Sequence, residues 1–415
     1  MSRSRDKAVR RVYSFAGPCA WSTSRDCIER LGRNDAHDVV DTENVQAADA
    51  ILGTPVMKHT AANCAVSGSA YHAIYALVAV VGFFLLCNAT RAPAAAQPPV
   101  AITIAAQPIT SFDLRDSSRR QFGGLEFRGG LVLRSSFTHF GGISAIRVAP
   151  NGTNFIALSD KGWWLRGRIL YDGTRPIAIA NAEMAPMLGP DGRPLAARGW
   201  YDTESIAQDG GTLYVGIERV HQIVRFNYEK DGLLARGYPI ALPSTVRSLP
   251  SNKGLEALVF VPSGQPLAGT LIAISERGLD RQGNIKAFLI GGPAPGDFAV
   301  KRSDDYDISD AALLAPSDIL ILERKFNWSS GLAIRIRRIA LADVRAGALV
   351  DGPALIDADL RQEIDNMEGL SIHRGAAGES ILTLISDDNF SLLQRTLLLQ
   401  FALTLRQSSA TRTRP

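Results

Sequence analysis

Five apolar runs in this chain each end in an acid: FIALSDKG at 155–162, LYVGIERV at 213–220, LIAISERG at 271–278, ILILERKF at 319–326 and ILTLISDDNF at 381–390. The acids Asp160, Glu218, Glu276, Glu323 and Asp387 recur every 47 to 64 residues. A second short block precedes each run: GGISAI at 141–146, DTESIA at 202–207, KGLEAL at 253–258, SDAALL at 309–314 and MEGLSI at 367–372. Three of these blocks carry a glutamate, Glu204, Glu256 and Glu368. Several carboxylates gathered at one place repel one another unless a cation or basic side chains neutralise them. The sequence offers both solutions. Oxygen ligands in a segment without cysteine suit Ca2+ or Mg2+ better than zinc or copper. Lys161, Arg219, Arg277 and Arg324 follow the acid directly in four of the five repeats. Such a mixture can hold a metal with its carboxylates and an anionic ester with its cations.

On this reading the metal ligands are drawn from Asp160, Asp202, Glu218, Glu276, Glu323, Asp387, Asp388 and Asn389. Asp387-Asp388-Asn389 is the strongest candidate because it supplies three oxygen-bearing side chains in succession, although a tight turn has the same composition. Glu204, Glu256 and Glu368 are the expected catalytic carboxyls, and Lys161, Arg219, Lys253, Arg277 and Arg324 the expected substrate-binding cations. Acid and base neighbours at strand ends can also pair between repeats and merely hold them together, so that alternative stands beside each residue. His139, His221 and His373 read as packing or hydrogen-bonding residues.

The elements that must position these groups are short runs of Ile, Leu, Val and Phe bounded by Gly, Asp, Asn and Pro, with almost no stretch at helical period. The chain from residue 120 onward reads as all-β. A repeat of this length, holding about four strands, is the size of a propeller blade. Radial sheets bring equivalent strand ends to one axis, whereas a β-sandwich, the competing architecture, would scatter them. Five repeats are visible, and the segment 121–136 with the terminal strand 396–404 would make a sixth by pairing the two ends. A six-bladed β-propeller over 120–405 is therefore expected.

The remaining chain bears on compartment and partners. Residues 1–56 lack sustained apolar periodicity and read as a poorly ordered leader or a segment outside the true coding start. Residues 57–96 have the order of a signal peptide: Lys58 and His59, the apolar run Ala73–Cys87, then small residues up to Ala96. Residues 97–119 read as a linker and 406–415 as a disordered tail. An uncleaved anchor is the alternative, and it would be the one route to a membrane. All four cysteines lie in the first 87 residues, which excludes thiol chemistry and disulfides from the repeats. A formal charge of +4 on 415 residues and 7% aromatic residues give no support for a nucleic-acid partner. No Gly-x-Ser-x-Gly, His-Glu-x-x-His, Gly-x-x-x-x-Gly-Lys or Gly-x-Gly-x-x-Gly motif occurs, which disfavours the usual serine hydrolases, zincins, triphosphatases and dinucleotide enzymes.

The five paired blocks resemble the phytase-like family of exported bacterial proteins, described as having esterase-like activity of the phytase type. The similarity rests on GGISAI with ALSDKG, YDTESIA with YVGIERV, NKGLEAL with AISERG, ILILERKF, and NMEGLSI with LISDDNFSLLQRTLLLQFAL, across about residues 120–404. It implies a β-propeller, a periplasmic or secreted location, and Ca2+-assisted hydrolysis of a phosphate or other ester. It carries over Asp202, Glu204, Glu256, Glu276, Glu323, Glu368, Asp387, Asp388 and Asn389 as acids and an amide in matching blocks, without fixing their roles. The fourth repeat departs, since SDAALL lacks the glutamate. The leading expectation is a metal-dependent phosphoester hydrolase with an anionic small-molecule substrate. A carboxylic ester or lactone hydrolase and a non-catalytic ligand-binding propeller with structural calcium are the alternatives.

Overall fold

The computed structural model describes residues 97–404. The leader, the signal segment and the tail expected from the sequence lie outside the described residues.

The second strand of each repeat is apolar at nearly every position because both of its faces are covered. Asn154–Ser159 is buried at all but its first residue, and Ser380–Ser386 is buried throughout. Such runs can only be satisfied by sheets stacked face to face. Five sheets do this around one axis. Blade 1 is Ile143–Val148, Asn154–Ser159, Trp163–Asp172 and Arg175–Pro186. Blade 2 is Thr203–Asp209, Thr212–Ile217, Gln222–Asn227 and Gly237–Pro239. Blade 3 is Leu255–Phe260, Thr270–Leu279, Ile285–Gly291 and Gly296–Val300. Blade 4 is Asp307–Leu314, Asp318–Asn327, Gly331–Ala340 and Ala354–Asp359. Blade 5 is Met367–Arg374, Ser380–Ser386, Thr396–Leu403 and Leu125–Arg134. The first strand of each blade is innermost, and each innermost strand packs against the next around the ring.

The core is divided accordingly into five apolar clusters, one at each blade junction. The junction of blades 4 and 5 is the most aromatic: Phe112 meets Phe122, Phe127 and Phe401 with ring centroids 4.9 to 5.5 Å apart.

The protein is a five-bladed propeller, one blade fewer than the sequence suggested. The two ends do pair, Leu397 opposite Val132 and Leu399 opposite Gly130. They pair as the outer strands of blade 5, whose two inner strands would otherwise end with a single outer partner, so no inner strands remain for a sixth sheet. Part of the expected linker is also strand. Ala105–Ile109 pairs with the outside of blade 5 and Val100–Ile102 with the outside of blade 1.

Candidate active site

Every innermost strand opens with the same irregularity. In blade 1 the ladder steps from Ile143–Ser159 to Ala145–Leu158, in blade 2 from Thr203–Ile217 to Ser205–Gly216, and in blade 3 from Leu255–Ser275 to Ala257–Ile274. Blade 4 steps from Ile308–Glu323 to Asp310–Leu322, and blade 5 from Met367–Ser386 to Gly369–Ile385. Each step leaves one residue unpaired on the inner strand, a β-bulge that re-aims a side chain. The bulged residues are Ser144, Glu204, Glu256, Ser309 and Glu368. The three expected catalytic glutamates are thus structurally equivalent, and serine replaces glutamate in blades 1 and 4.

The ladder also fixes which residue ends the second strand at this level. Asp160, Glu218, Glu276 and Asp387 each donate a backbone N–H to the residue that precedes the inner strand, Gly142, Asp202, Gly254 and Asn366 respectively. In blade 4 the equivalent residue is Arg324, which stands opposite Asp307. Glu323 is one position out of phase. Because strand side chains alternate, that offset sends it to the other face. There it is fully buried, and Arg335 and Arg337 saturate it at 2.8 Å and 2.6 Å. Glu323 therefore does not join the other acids, contrary to the sequence expectation of a metal ligand.

Arg324 takes the place of a fifth acid and sits among the rest. Its guanidinium lies 3.2 Å from Glu368 and 3.7 Å from Glu276, and it also donates to the Asn366 side-chain oxygen. Asn366 in turn donates to Glu368 at 2.8 Å. The other cations are more peripheral. Lys161 bonds Asp160 at 2.7 Å and Lys253 bonds Glu276 at 2.6 Å. Arg277 turns away to Asp307, with its Nε 2.7 Å from a carboxylate oxygen, and Arg219 lies exposed over the Tyr201 ring, 4.4 Å from its centroid. Asp388 and Asn389 are used locally. Asp388 accepts from the Gly142 and Phe390 N–H groups and from the Thr396 hydroxyl, joining blades 5 and 1. The Asn389 side chain donates to Gln394.

The electrostatics follow from enclosure. Burial, reinforced by the charges of Glu368, Asp160, Asp202 and Glu218, holds the Glu204 carboxyl well above the usual carboxylate range. Burial does the same to Glu256, with Glu204 and Glu276 adding to it. Burial pushes Glu218 up to about 7 against a hydrogen bond from the Gly254 N–H. It pushes Asp387 up to about 8 with help from Glu368. Glu368 is raised by burial less freely, because Arg324 and Asn366 pull it back. Burial opposes the charge of Arg324, but Glu368, Glu256 and Glu276 more than offset it and hold its proton tighter than usual.

The donor set suits a hard cation: it is all oxygen, and the buried Glu256 Oε2 has no hydrogen-bond partner. Among the described residues, no three or more His, Cys, Asp or Glu side chains are already drawn together as a ligand group. Binding would have to draw them inward.

The floor of the site was not read from the sequence. Arg147, on the inner strand of blade 1, crosses the axis to Asp310 of blade 4 at 2.9 Å. It also donates to the carbonyls of Leu258 in blade 3, Ala311 in blade 4 and Leu370 in blade 5. Asp310 accepts further from the Leu370 N–H. The pair separates the acidic mouth from a largely apolar cavity of about 500 Å³ at the other end of the axis, lined by Val148, Leu258, Phe260 and Leu313. The Arg in GGISAIRV was the available signal, a charge within a run that is otherwise buried.

This is a β-propeller with a carboxylate-rich mouth. The sequence model of the Phytase-like family, described as esterase-like activity of phytase, matches residues 138–390, and the chain belongs to that family. No curated protein matches the sequence. Among solved structures, the chain is similar to the PQQ-bound aldose sugar dehydrogenase of Streptomyces coelicolor at 14% identity and a TM-score of 0.35, covering 66% of this chain and 97% of that one. It is similar to U3-55K at 11% identity and a TM-score of 0.35, covering 65% and 98%. The WD40 domain of Toxoplasma gondii coronin gives 9% identity and a TM-score of 0.32, covering 75% and 89%. Likenesses this distant carry no argument about chemistry.

Proposed function

We propose that the protein is an exported ester hydrolase that acts on phosphate esters at the carboxylate mouth, with Ca2+ as its cofactor. Membership of the Phytase-like family supports an esterase or phosphoesterase type of hydrolase. The observation that carries the phosphate reading is Arg324: one guanidinium stands at the ring position that holds an acid in every other blade. A guanidinium among carboxyls is suited to a phosphoryl group, because its planar donors match the oxygens and its charge opposes the acids' repulsion of the substrate.

Glu204, Glu256, Glu218 and Asp387 are the residues that would hold the cation, and the unpartnered Glu256 Oε2 is the oxygen most in need of one. When bound, the ion would supply positive charge that favours ionised carboxylates and offsets the charge of the phosphoryl group. The chain's own groups do the rest. Arg324 orients the phosphoryl oxygens. Glu368, which stands outside that ligand set and beside Arg324, accepts a proton from water as the water oxygen bonds to phosphorus. It returns the proton to the departing alcohol oxygen as the P–O ester bond breaks. Arg147 and Asp310 close the mouth from behind.

The test is hydrolysis of aryl phosphate, bis-aryl phosphate, inositol phosphate, aryl acetate and a lactone, with Ca2+ and with chelator. Calcium-dependent turnover confined to the phosphates supports the reading. Turnover of the acetate or lactone alone would make it a carboxylic ester hydrolase. Equal turnover after stripping divalent ions would remove the metal from the proposal. Silence on every substrate would leave a binding propeller.

A further inference from the structure

Trp328, Leu392 and Leu393 are 95%, 104% and 94% exposed, and the next large apolar side chain among the described residues, Phe326, reaches 61%. Full exposure of such residues is uncommon when several occur together. All three lie on the mouth face of neighbouring blades. In blade 4 the second strand continues three residues past Arg324 to Asn327, about 10 Å further along the strand, and Trp328 caps that hairpin. Its ring packs edge-on against Phe326 at 5.3 Å. In blade 5 the connection after Asp387 carries Phe390, Leu392 and Leu393. Phe390 is 43% exposed and has a φ of +50°, a left-handed backbone that a bulky side chain rarely adopts.

We infer that these two tips form a membrane-docking rim, by which the propeller sits with its carboxylate mouth against a lipid–water interface. The tips are separate prongs interleaved with Asn327, Ser329, Ser330 and Ser391, so they do not form the continuous apolar core of a protein interface. A fluid interface accepts separate prongs, and Trp and Leu are residues that partition into it. Cations stand at the base of each prong, each already held by the protein: Lys325 bonds the Asp304 carbonyl at 3.3 Å, Lys161 bonds Asp160 at 2.7 Å beside the Phe390 ring, and Arg395 pairs with Glu363 at 2.9 Å. They hold the tips in place, and the apolar side chains carry the contact with lipid. The chain enters the propeller on this same face. Val100 pairs with Met184, two residues before Pro186, which stands opposite Trp163 at the mouth end of blade 1.

The test uses the full chain and vesicles of phosphatidylcholine and phosphatidylglycerol, about four to one, with brominated acyl chains. Because the apolar run before residue 97 can bind vesicles by itself, the readout must come from the rim. Bromolipid should quench part of the tryptophan fluorescence of the wild type, and that part should be missing in Trp328→Phe. Leu392→Ser with Leu393→Ser should reduce the Trp328-dependent quenching severalfold, as expected for withdrawing two leucines from lipid. Both leucines are fully exposed, so unchanged circular dichroism is expected. Equal quenching in wild type and Trp328→Phe would overturn the inference, and so would unchanged quenching in the double-serine variant. Concentration-dependent self-association that the serine substitutions abolish, with the bromolipid quenching unaffected, would also overturn it and make the rim an interface between copies. Hydrolysis does not enter these measurements, so failure of the rim and failure of the proposed chemistry are separable.

Discussion

Arg147 of blade 1 and Asp310 of blade 4 meet across the propeller axis at 2.9 Å, with Asp310 fully buried and the arginine side chain 12% exposed. Through the carbonyls and amide around them, the pair joins the inner strands of blades 1, 3, 4 and 5 at one point. Removing one partner of a buried pair leaves an uncompensated charge and costs about 3–5 kcal/mol. Asp310→Asn and Arg147→Met are each expected to lower denaturant stability by that order. Replacing both together should recover part of the loss, because no unpaired charge is then left in the core and the amide oxygen can still accept from the Leu370 N–H. Chemical denaturation of the two single variants and the double variant measures this coupling directly.

Glu323 and Glu256 separate structure from chemistry. Glu323→Gln leaves Arg335 and Arg337 facing a neutral group in the core, so a loss of about 3 kcal/mol in stability is expected. Glu256→Gln removes a carboxyl that burial and its acidic neighbours already hold in the protonated direction. Its fold should be as stable as wild type or more so near pH 8, while phosphate-ester turnover falls by about 10²-fold or more. Thermal melting alongside kcat distinguishes the two. Equal behaviour of the variants in both assays would sink the division.

Arg324 and Arg277 follow acids in the sequence but have different duties. Arg324→Gln is expected to reduce kcat/KM for an aryl phosphate by about 10²-fold, as for loss of a charged oxygen contact, with much less effect on an aryl acetate. Arg324→Lys should restore part of it. Arg277 is engaged with Asp307 and its side chain is 44% exposed, so Arg277→Gln should change neither substrate's kinetics appreciably. Loss of phosphate turnover in Arg277→Gln with retention in Arg324→Gln would reverse the assignment.

The mouth also predicts an uncommon pH profile for folding. A carboxyl raised from its unfolded value near 4.5 to about 7, as Glu218 is, binds more protons in the folded chain between those limits. Stability must then fall as pH rises through that window. Asp387, raised to about 8, extends the fall upward. For Glu218 alone the effect is on the order of 3 kcal/mol. Without divalent ions, the melting temperature should decline steadily from about pH 5 to pH 8. Added Ca2+ should flatten the profile, since it favours the ionised carboxylates. A melting temperature that rises across this range in chelator would contradict the enclosure described for the mouth.

Much of this architecture is written locally. Apolar second strands, their terminal acids and the Gly- or Glu-bearing blocks before them are short-range patterns, so the all-β repeat and Glu204, Glu256 and Glu368 as equivalents could be read along the chain. What lay beyond that reading depends on register between strands. In blades 1, 3 and 5 a Ser-acid pair ends the second strand; in blade 4 the same two positions are Glu323 and Arg324, and a shift of one residue exchanges the two faces. The blade count turned on which sheet adopts Leu125–Arg134, more than 260 residues from its partner Thr396–Leu403 in the chain. The Arg147–Asp310 floor exists only because radial packing brings inner strands from distant repeats to one axis. The chain by itself determined the repeat and the kind of chemistry its acids can do. Tertiary packing alone decided which acids converge, which arginine joins them and what seals the mouth, because those depend on which strands lie side by side.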